Sequence, residues 1–365
     1  MRVAFYDKSD TGHHLEFIRH VVKAAAEYSP LEVHMIVSPM AVSMIEDLCI
    51  EGVVTIENER SSSIQEEARK LLSICEERKI GYVFFMNIDP YLKILGKDVF
   101  KRANLTLSGI YFHPFHRIRM SSLKAGLQKV KRMYAFRQAL ANEEIKTLFV
   151  LDDKLEDQVG VPRLKYLPDP IGVHLTTEDI ALLSKKKERV DILAFGSIIR
   201  RKGLENLIKA VSQIDSSMYT LRIVGRGDTS YVGSLLKLVR QAASRSEIII
   251  DSRFVTDKEK DQLFRQADII SMVYRDFYGS SGALGHAVAY GKKVIVSDKG
   301  LISRLTLKYD LGVTVDSTVS QLKSAMLQLA AVEGKADMSA RKYLSEKTPE
   351  AFTEVIFDEI MRYYE

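Results

Sequence analysis

Two cysteines, Cys49 and Cys75, are all that 365 residues carry. Both lie in stretches that read as helical, with no companions at metal-ligand spacing. That scarcity speaks against a disulfide framework and a thiolate metal site, and reduced core thiols of a cytoplasmic protein are expected. No apolar run approaches the ~20 residues that a membrane span requires. The opening segment, MRVAFYDKSD, lacks the long apolar stretch of a secretory signal. Acidic residues are missing altogether between Asp98 and Glu143, whereas Lys101, Arg102, Arg117, Arg119, Lys124, Lys129, Lys131, Arg132 and Arg137 all fall there. A block of one sign that long repels itself unless something anionic faces it. This stripe carries more meaning than the formal net charge of +5.

What is present reads as a globular α/β protein. Hydrophobic residues at 46% and charged residues at 28% exclude a disordered or fibrous chain. Short runs of continuous apolar character alternate with helical patterns: RVAFY (2–6), EVHMIVS (32–38), VVTIEN (53–58), YVFFMN (82–87), LTLSGIYF (105–112) and TLFVLD (147–152). Strands with no alternation in polarity belong to parallel sheets covered on both faces. Between them Leu15, Ile18, Val22 and Ala25 recur at helical spacing. Pro162, Pro168 and Pro170 then break the rhythm, and residues 184–189 are polar. A second series follows: DILAFGS (191–197), YTLRIVG (219–225), EIIIDSRF (247–254), ADIISMVY (267–274), KVIVSD (293–298) and GVTVD (312–316). The chain closes with helical patterns around 317–332, 336–346 and 350–364. The expected fold is therefore two Rossmann-like, doubly wound parallel-sheet domains facing a cleft. The first covers 1–160 and a linker 161–190. The second covers 191–349, and a final helix, 350–365, is expected to pack back on the first domain.

Chemistry concentrates at the turns after strands. Gly196 ends a buried strand, and Arg200-Arg201-Lys202-Gly203 leads into a helix with Leu204, Leu207, Ile208 and Val211 on one face. Three successive cations there can neutralise a diphosphate, although an ordinary surface loop has the same composition. Further on, Gly279-Ser280-Ser281-Gly282 opens a helix beginning at Ala283. Small residues at a helix start leave several backbone N–H groups open to an anion. Ser280 and Ser281 can donate to that anion or cap the helix. His286 lies four residues beyond Gly282 and so on the same helix face. In the first half, Asp10-Thr11-Gly12-His13-His14 separates the first strand from its helix. His113 follows the last apolar run before the basic stripe, where Pro114 turns the chain outward. Gly225-Arg226-Gly227 is too short for a dinucleotide fingerprint.

The order of these pieces resembles the GT-B retaining glycosyltransferases of the group one type, glycosyltransferase family four. The likeness is best over 191–316: FGSIIRRKGLENLIKAV, LRIVGRGD, SRFVTDKEKDQLFRQADII and HAVAYGKKVIVSDKG follow the family's successive elements, with Lys293 where proline is usual. The first domain matches through the glycine loop at Gly12 and GIYFHP, and LPDPI looks like the linker entry. The resemblance implies that Arg201 and Lys202 hold the donor's diphosphate at the turn after Gly196. Ser280, Ser281, Gly282 and Ala283 would complete the cradle. His113 would sit near the anomeric carbon, with Gly12 and His13 on the acceptor side. The family's two donor-site glutamates fall here on Tyr278 and His286, and histidine cannot accept two ribose hydroxyls as a carboxylate does. A branch with Ser-Ser-Gly in this loop dispenses with the first acid. No Asp-x-Asp motif stands in a fitting place, so no metal requirement is expected.

The implied activity is sugar transfer from a nucleotide-sugar to a glycan or lipid-linked acceptor. Leu123, Leu127, Val130 and Tyr134 form an apolar face that is expected to pack inward, while the charge of 117–137 draws the protein to an anionic membrane surface. No recognisable module suggests nucleic acid. Two other readings stand beside this one: a non-hydrolysing sugar-nucleotide epimerase, for which no acid pair is found, and a non-catalytic GT-B partner of an active glycosyltransferase.

Overall fold

The computed structural model describes residues 1–365 apart from 10–12, 29, 49, 51, 58–60, 62, 98–99, 101–103, 119–122, 154, 156–160, 162, 174–188, 216, 243, 278, 332–337 and 364–365. Gly12, Cys49, Lys101, Arg102, Arg119, Pro162, Tyr278 and the polar run 184–188 therefore lie outside the described residues, as do the side chains of His13, Arg117 and Lys124. The chain divides into two compact units, Met1–Pro170 with Lys347–Glu365, and Ile171–Glu346.

The first unit holds seven strands: β1 (Arg2–Tyr6), β2 (Glu32–Val37), β3 (Val53–Glu57), β4 (Tyr82–Phe85), β5 (Thr106–Ile110), β6 (Ile145–Val150) and β7 (Leu164–Tyr166). They lie in the order β3-β2-β1-β4-β5-β6-β7, every neighbour parallel. Their continuous apolar character follows from burial on both faces. Ala4 and Tyr6 of β1 enter one core with Phe85, Leu107 and Phe136, while Val3 and Phe5 enter the other with Phe17, Val21 and Phe84. The buried Cys75 belongs to the first of these cores, and burial pushes its thiol up to about 12.

The last long helix, Pro349–Met361, belongs to this unit. Thr348 caps it, accepting from Ala351 N, and proline opens it. Phe352, Ile356, Phe357 and Ile360 are fully buried in the second core, with the Phe17–Phe352 rings 4.8 Å apart and the Phe5–Phe357 rings 5.6 Å apart. Glu359, only 3% exposed, accepts from Thr147 Oγ1 and Lys165 Nζ and so pins the helix to β6 and β7. Burying four such apolar side chains contributes roughly 6–12 kcal/mol before conformational entropy is subtracted.

Two expectations need correcting. The segment 161–190 is not all linker, because Leu164–Tyr166 pairs with β6 as the seventh strand. The helix Leu123–Leu140 does not bury the face expected of it. Leu123, Leu127, Val130 and Tyr134 are 91%, 64%, 55% and 58% exposed, whereas Phe136 and Ala139 are buried and Met133 and Leu140 pack beside them. The helix carries a second apolar stripe, and that one is covered: the Phe136 ring lies 5.4 Å from each of the Tyr111 and Phe115 rings. Among the described residues no helix is long and apolar enough to cross a membrane.

The second unit repeats the plan with β8 (Val190–Phe195), β9 (Tyr219–Val224), β10 (Glu247–Asp251), β11 (Ile269–Met272), β12 (Lys293–Ser297) and β13 (Gly312–Val315), in the order β10-β9-β8-β11-β12-β13, all parallel. Helices Leu204–Ser212, Thr229–Gln241 and Val319–Ala331 supply the core on one face. Asp257–Gln266, Gly282–Ala289, Gly300–Lys308 and Met338–Ser345 supply the other. In both sheets the strand order reverses beside the first strand, between β1 and β4 and between β8 and β11. Open α/β sheets bind ligands outside the carboxyl ends of the strands at such a reversal.

Candidate functional site

The turns leaving β8 and β11 stand side by side because their strands are neighbours. After β8, Gly196 adopts a φ of 92° and Arg200–Lys202 form one 3-10 turn. Gly203 closes it with a φ of 64°, in the left-handed region that favours glycine. A Cβ at Gly203 would stand 2.7 Å from Val273 O, so no other residue lets this turn approach the end of β11 so closely. Leu204, Leu207, Ile208 and Val211 are buried and fix the following helix against the sheet. Arg275 N donates to Arg201 O at 2.6 Å, tying the two turns together through their backbones. Glu205 lies between Arg200 and Arg275, 3.7 Å from each guanidinium.

Lys202 is the most strongly placed cation. Its Nζ donates to Phe195 O and lies 5.7 Å from the centre of the Tyr274 ring. Burial, reinforced by the neighbouring Arg201, brings its pKa from 10.5 down to about 8. Gly196 makes room for this ammonium, since a Cβ there would come within 2.8 Å of Nζ. Arg201 lies over the Phe277 ring at 5.2 Å. Tyr274 OH in turn meets Ser281 Oγ at 3.3 Å, which joins the basic turn to the glycine-serine helix start.

Ser281 precedes the helix Gly282–Ala289 with a φ of 67° and makes no side-chain cap. Its hydroxyl is engaged by Tyr274 instead. Leu284 N donates to Ser281 O, so the N–H groups of Gly282 and Ala283 come ahead of the helix's own hydrogen bonds. Ser280 immediately precedes this turn, and Gly282 is exposed, with open space where a Cβ would be. His286, one turn further, has its ring 5.6 Å from Phe264. Burial, with Lys260 adding to it, lowers its pKa to about 4, so the imidazole is neutral at pH 7. Its Nδ1 is buried and without a hydrogen-bond partner among the described residues. A neutral ring offers one donor and one acceptor.

In the first unit the corresponding turns carry two histidine–carboxylate pairs. Asp89, after β4, accepts from Phe112 N at 2.8 Å and His113 N at 2.9 Å, and its Oδ1 lies 3.1 Å from His113 Nδ1. Arg132 Nη1 donates to His113 O at 3.2 Å. The side chain of His113 is 64% exposed. Asp7, which ends the β1 turn, holds His14 Nδ1 at 2.8 Å and accepts from Ser9 N at 2.7 Å. The His14 ring lies 5.6 Å from Phe112, between the two pairs. His13 opens the helix His13–Ala25, but its neighbour His14 is the histidine tied to the strand end. Asp7, Asp89 and Glu205 were not picked out by the sequence, and His14 was named only as the end of the 10–14 segment. An aspartate directly after a buried strand was the available signal at Asp7.

The model of the family described as glycosyl transferases group 1 matches residues 189–331, the stretch that contains both turns. The second unit is a group 1 glycosyltransferase domain. Around that glycosyltransferase domain the whole chain shares its fold with solved glycosyltransferase structures. Sucrose-phosphate synthase from Thermosynechococcus elongatus superposes with a TM-score of 0.74 at 16% identity, over 100% of this chain and 99% of that one. HepE from Anabaena in complex with UDP-glucose gives 0.70 at 14% identity, over 99% and 100%. WaaG, a glycosyltransferase involved in lipopolysaccharide biosynthesis, gives 0.65 at 16% identity, over 99% of each chain. No curated protein sequence matches the chain. At such identities the likeness is one of fold, the two-domain GT-B architecture, and the glycosyltransferase assignment rests on the family match in the second unit.

Proposed function

We propose that the chain transfers a sugar, with retention of anomeric configuration, from a nucleoside-diphosphate sugar to a glycan or lipid-linked acceptor. The observation that supports this most is the junction of the two turns: Arg275 N on Arg201 O, and Lys202 against the Tyr274 ring whose hydroxyl meets Ser281. A diphosphate lodged there would meet Lys202, Arg201 and the leading amides of Gly282–Ala289. Charge builds on the bridging oxygen as the sugar–oxygen bond breaks, and fixed cations and amides aimed at that oxygen lower the barrier. Because these side chains supply the positive charge, the reaction needs no divalent metal, and turnover should survive a chelator. His286 would offer a single hydrogen bond to the ribose in place of a carboxylate. His113, oriented by Asp89, is the residue we assign to the transferred sugar, and Gly12 and His13 those we assign to the acceptor.

The exposed stripe Leu123, Leu127, Val130 and Tyr134, flanked by Lys129, Lys131 and Arg132, supports attachment to an anionic leaflet. A lipid-linked acceptor is consistent with that attachment. HepE, whose structure holds UDP-glucose, makes a uridine nucleotide the first donor to try.

The test is a thermal-shift panel with UDP, GDP, ADP, CDP and TDP, followed by release of nucleotide from the matching sugar donor. A diphosphate at a hundred times its dissociation constant stabilises the fold by about 2.7 kcal/mol. The presence of Tyr278 and His286 at the glutamate positions favours one other reading, a non-catalytic partner of an active glycosyltransferase. A protein that neither binds any of the five nucleotides nor hydrolyses a donor would support the partner reading.

A further inference from the structure

Each of the two cations assigned to the diphosphate lies over an aromatic ring, and the two rings touch. Lys202 Nζ stands 5.7 Å from the centre of the Tyr274 ring, and the Arg201 guanidinium 5.2 Å from that of Phe277. The rings themselves meet edge to face, with centroids 4.9 Å apart and planes at 85°. Both cation distances fall inside the ~6 Å within which a ring face attracts a positive charge, and the ring pair has the geometry that aromatic quadrupoles favour. We propose that Tyr274 and Phe277 are positioning residues, a ring pair that holds Lys202 and Arg201 ready for the diphosphate by cation–π attraction and leaves both charges whole. This role rests on the diphosphate site proposed above.

A carboxylate is the usual partner of a cation, and the neighbouring arginines have one. Arg200 and Arg275 share Glu205, at 3.7 Å each. Among the described residues no carboxylate pairs with Arg201 or Lys202, whose contacts are the two rings and Phe195 O. A carboxylate there would cancel the charge that a diphosphate needs and compete with it for the same donors. A ring face attracts the cation and carries no net charge. The chain bends to bring the rings together: Asp276, between them, has a φ of 49°, a left-handed conformation that folds Phe277 back against Tyr274. Gly279 leaves room for the Phe277 ring, since a Cβ there would lie 3.0 Å from its Cζ. Tyr274 is fixed at its far end by Ser281 Oγ, 3.3 Å from its hydroxyl. The cation side is fixed through the backbone, where Arg275 N donates to Arg201 O. Side chains held in place beforehand lose less conformational freedom when a ligand arrives, and that difference appears as affinity.

The experiment is isothermal titration calorimetry of UDP and of inorganic pyrophosphate on the full chain, which reads binding independently of turnover. Phe277 is replaced in turn by mono-, di- and trifluorophenylalanine, which weaken the negative face stepwise at nearly constant ring size. Affinity should fall with each step, by about fivefold in all, as for an exposed cation over a ring, at an unchanged melting temperature. Phe277→Leu should lose at least as much, and Phe277→Tyr should restore wild-type affinity. At the more buried Lys202, Tyr274→Leu should cost up to about thirtyfold, and Tyr274→Phe, which keeps the ring and loses only the Ser281 contact, should recover most of that. Unchanged affinity across the fluorinated series would overturn the proposal, since packing alone would then account for the rings. Affinity that rises with fluorination would overturn it too, because the rings would then draw the cations away from the ligand. A wild-type protein that binds neither UDP nor pyrophosphate would remove the diphosphate site and this role with it. Binding without release of nucleotide from UDP-glucose would count against the transferase reading alone, and the fluorinated series would still decide the role of the rings.

Discussion

Replacing Lys202 with methionine keeps most of the aliphatic stem and removes the ammonium, which separates what the charge does for folding from what it does for the reaction. The charge is held at a cost. Its pKa falls from 10.5 to about 8 through burial and the nearby Arg201, which corresponds to roughly 3 kcal/mol disfavouring the protonated form at neutral pH. Loss of the donor to Phe195 O returns about 1–3 kcal/mol of that in the opposite direction. The variant should therefore be as stable as the wild type at pH 7, or more stable by up to roughly 2 kcal/mol, in urea denaturation followed by circular dichroism. The pH dependence sharpens this. An unfolded lysine keeps its proton up to about 10.5, so between pH 8 and 10.5 the unfolded chain binds more protons than the folded one. Wild-type stability rises with pH across that window, and the methionine variant lacks the rise. Turnover goes the other way. A fixed donor aimed at developing charge is worth roughly 10²–10³-fold, so nucleotide release should fall by at least a hundredfold. A variant that loses several kcal/mol of stability yet releases nucleotide at the wild-type rate per folded molecule would refute the reasoning, because Lys202 would then be a structural cation.

Gly203→Ala should lower stability by about 1–3 kcal/mol in thermal melts, since it combines a φ of 64° with a Cβ 2.7 Å from Val273 O. A neutral melting profile would mean that the two turns can separate. His286 has a folded pKa of about 4 against an ordinary 6.5, so its contribution to stability is complete above pH 6.5 and is lost as pH falls towards 4. His286→Leu should flatten that acid limb by up to roughly 3 kcal/mol, and an unchanged limb would show that the ring protonates in place. The double change Leu127→Ser and Tyr134→Ser should abolish co-sedimentation with phosphatidylserine vesicles without altering the melting temperature, because both side chains are exposed. Retained binding, or wild-type binding insensitive to salt, would count against a membrane role for this stripe.

Among the described residues, twelve of the thirteen strands could be read from the sequence because each is a run of continuous apolar character, buried on both faces at the centre of each sheet and half-buried in the edge strands β3 and β10. The thirteenth could not. Leu164–Tyr166 has three residues and ends just before Leu167-Pro168, so nothing in its composition separates it from a linker. The helix Leu123–Leu140 failed for a different reason. It has two apolar stripes, and periodicity cannot say which of them a neighbour covers. In the site, glycines and consecutive cations were legible because their backbone demands are local. The ties that organise it were not: Arg275 N to Arg201 O and Asp89 to His113 form only when separate strand ends come together, and Tyr274 to Ser281 and Asp7 to His14 only when one strand-to-helix loop folds back on itself.

The helix Pro349–Met361 gives this chain an inverted order of maturation. Synthesis delivers every strand of the N-terminal sheet first, but the aromatic residues that cover Phe5 and Phe17 emerge only after the whole of the second unit. The central unit, bounded by residues 171 and 346, can close its core while the ribosome still holds the final turns. The segment made first must therefore wait with an apolar face uncovered, and a ribosome stalled near residue 346 would leave a finished second unit joined to an aggregation-prone neighbour.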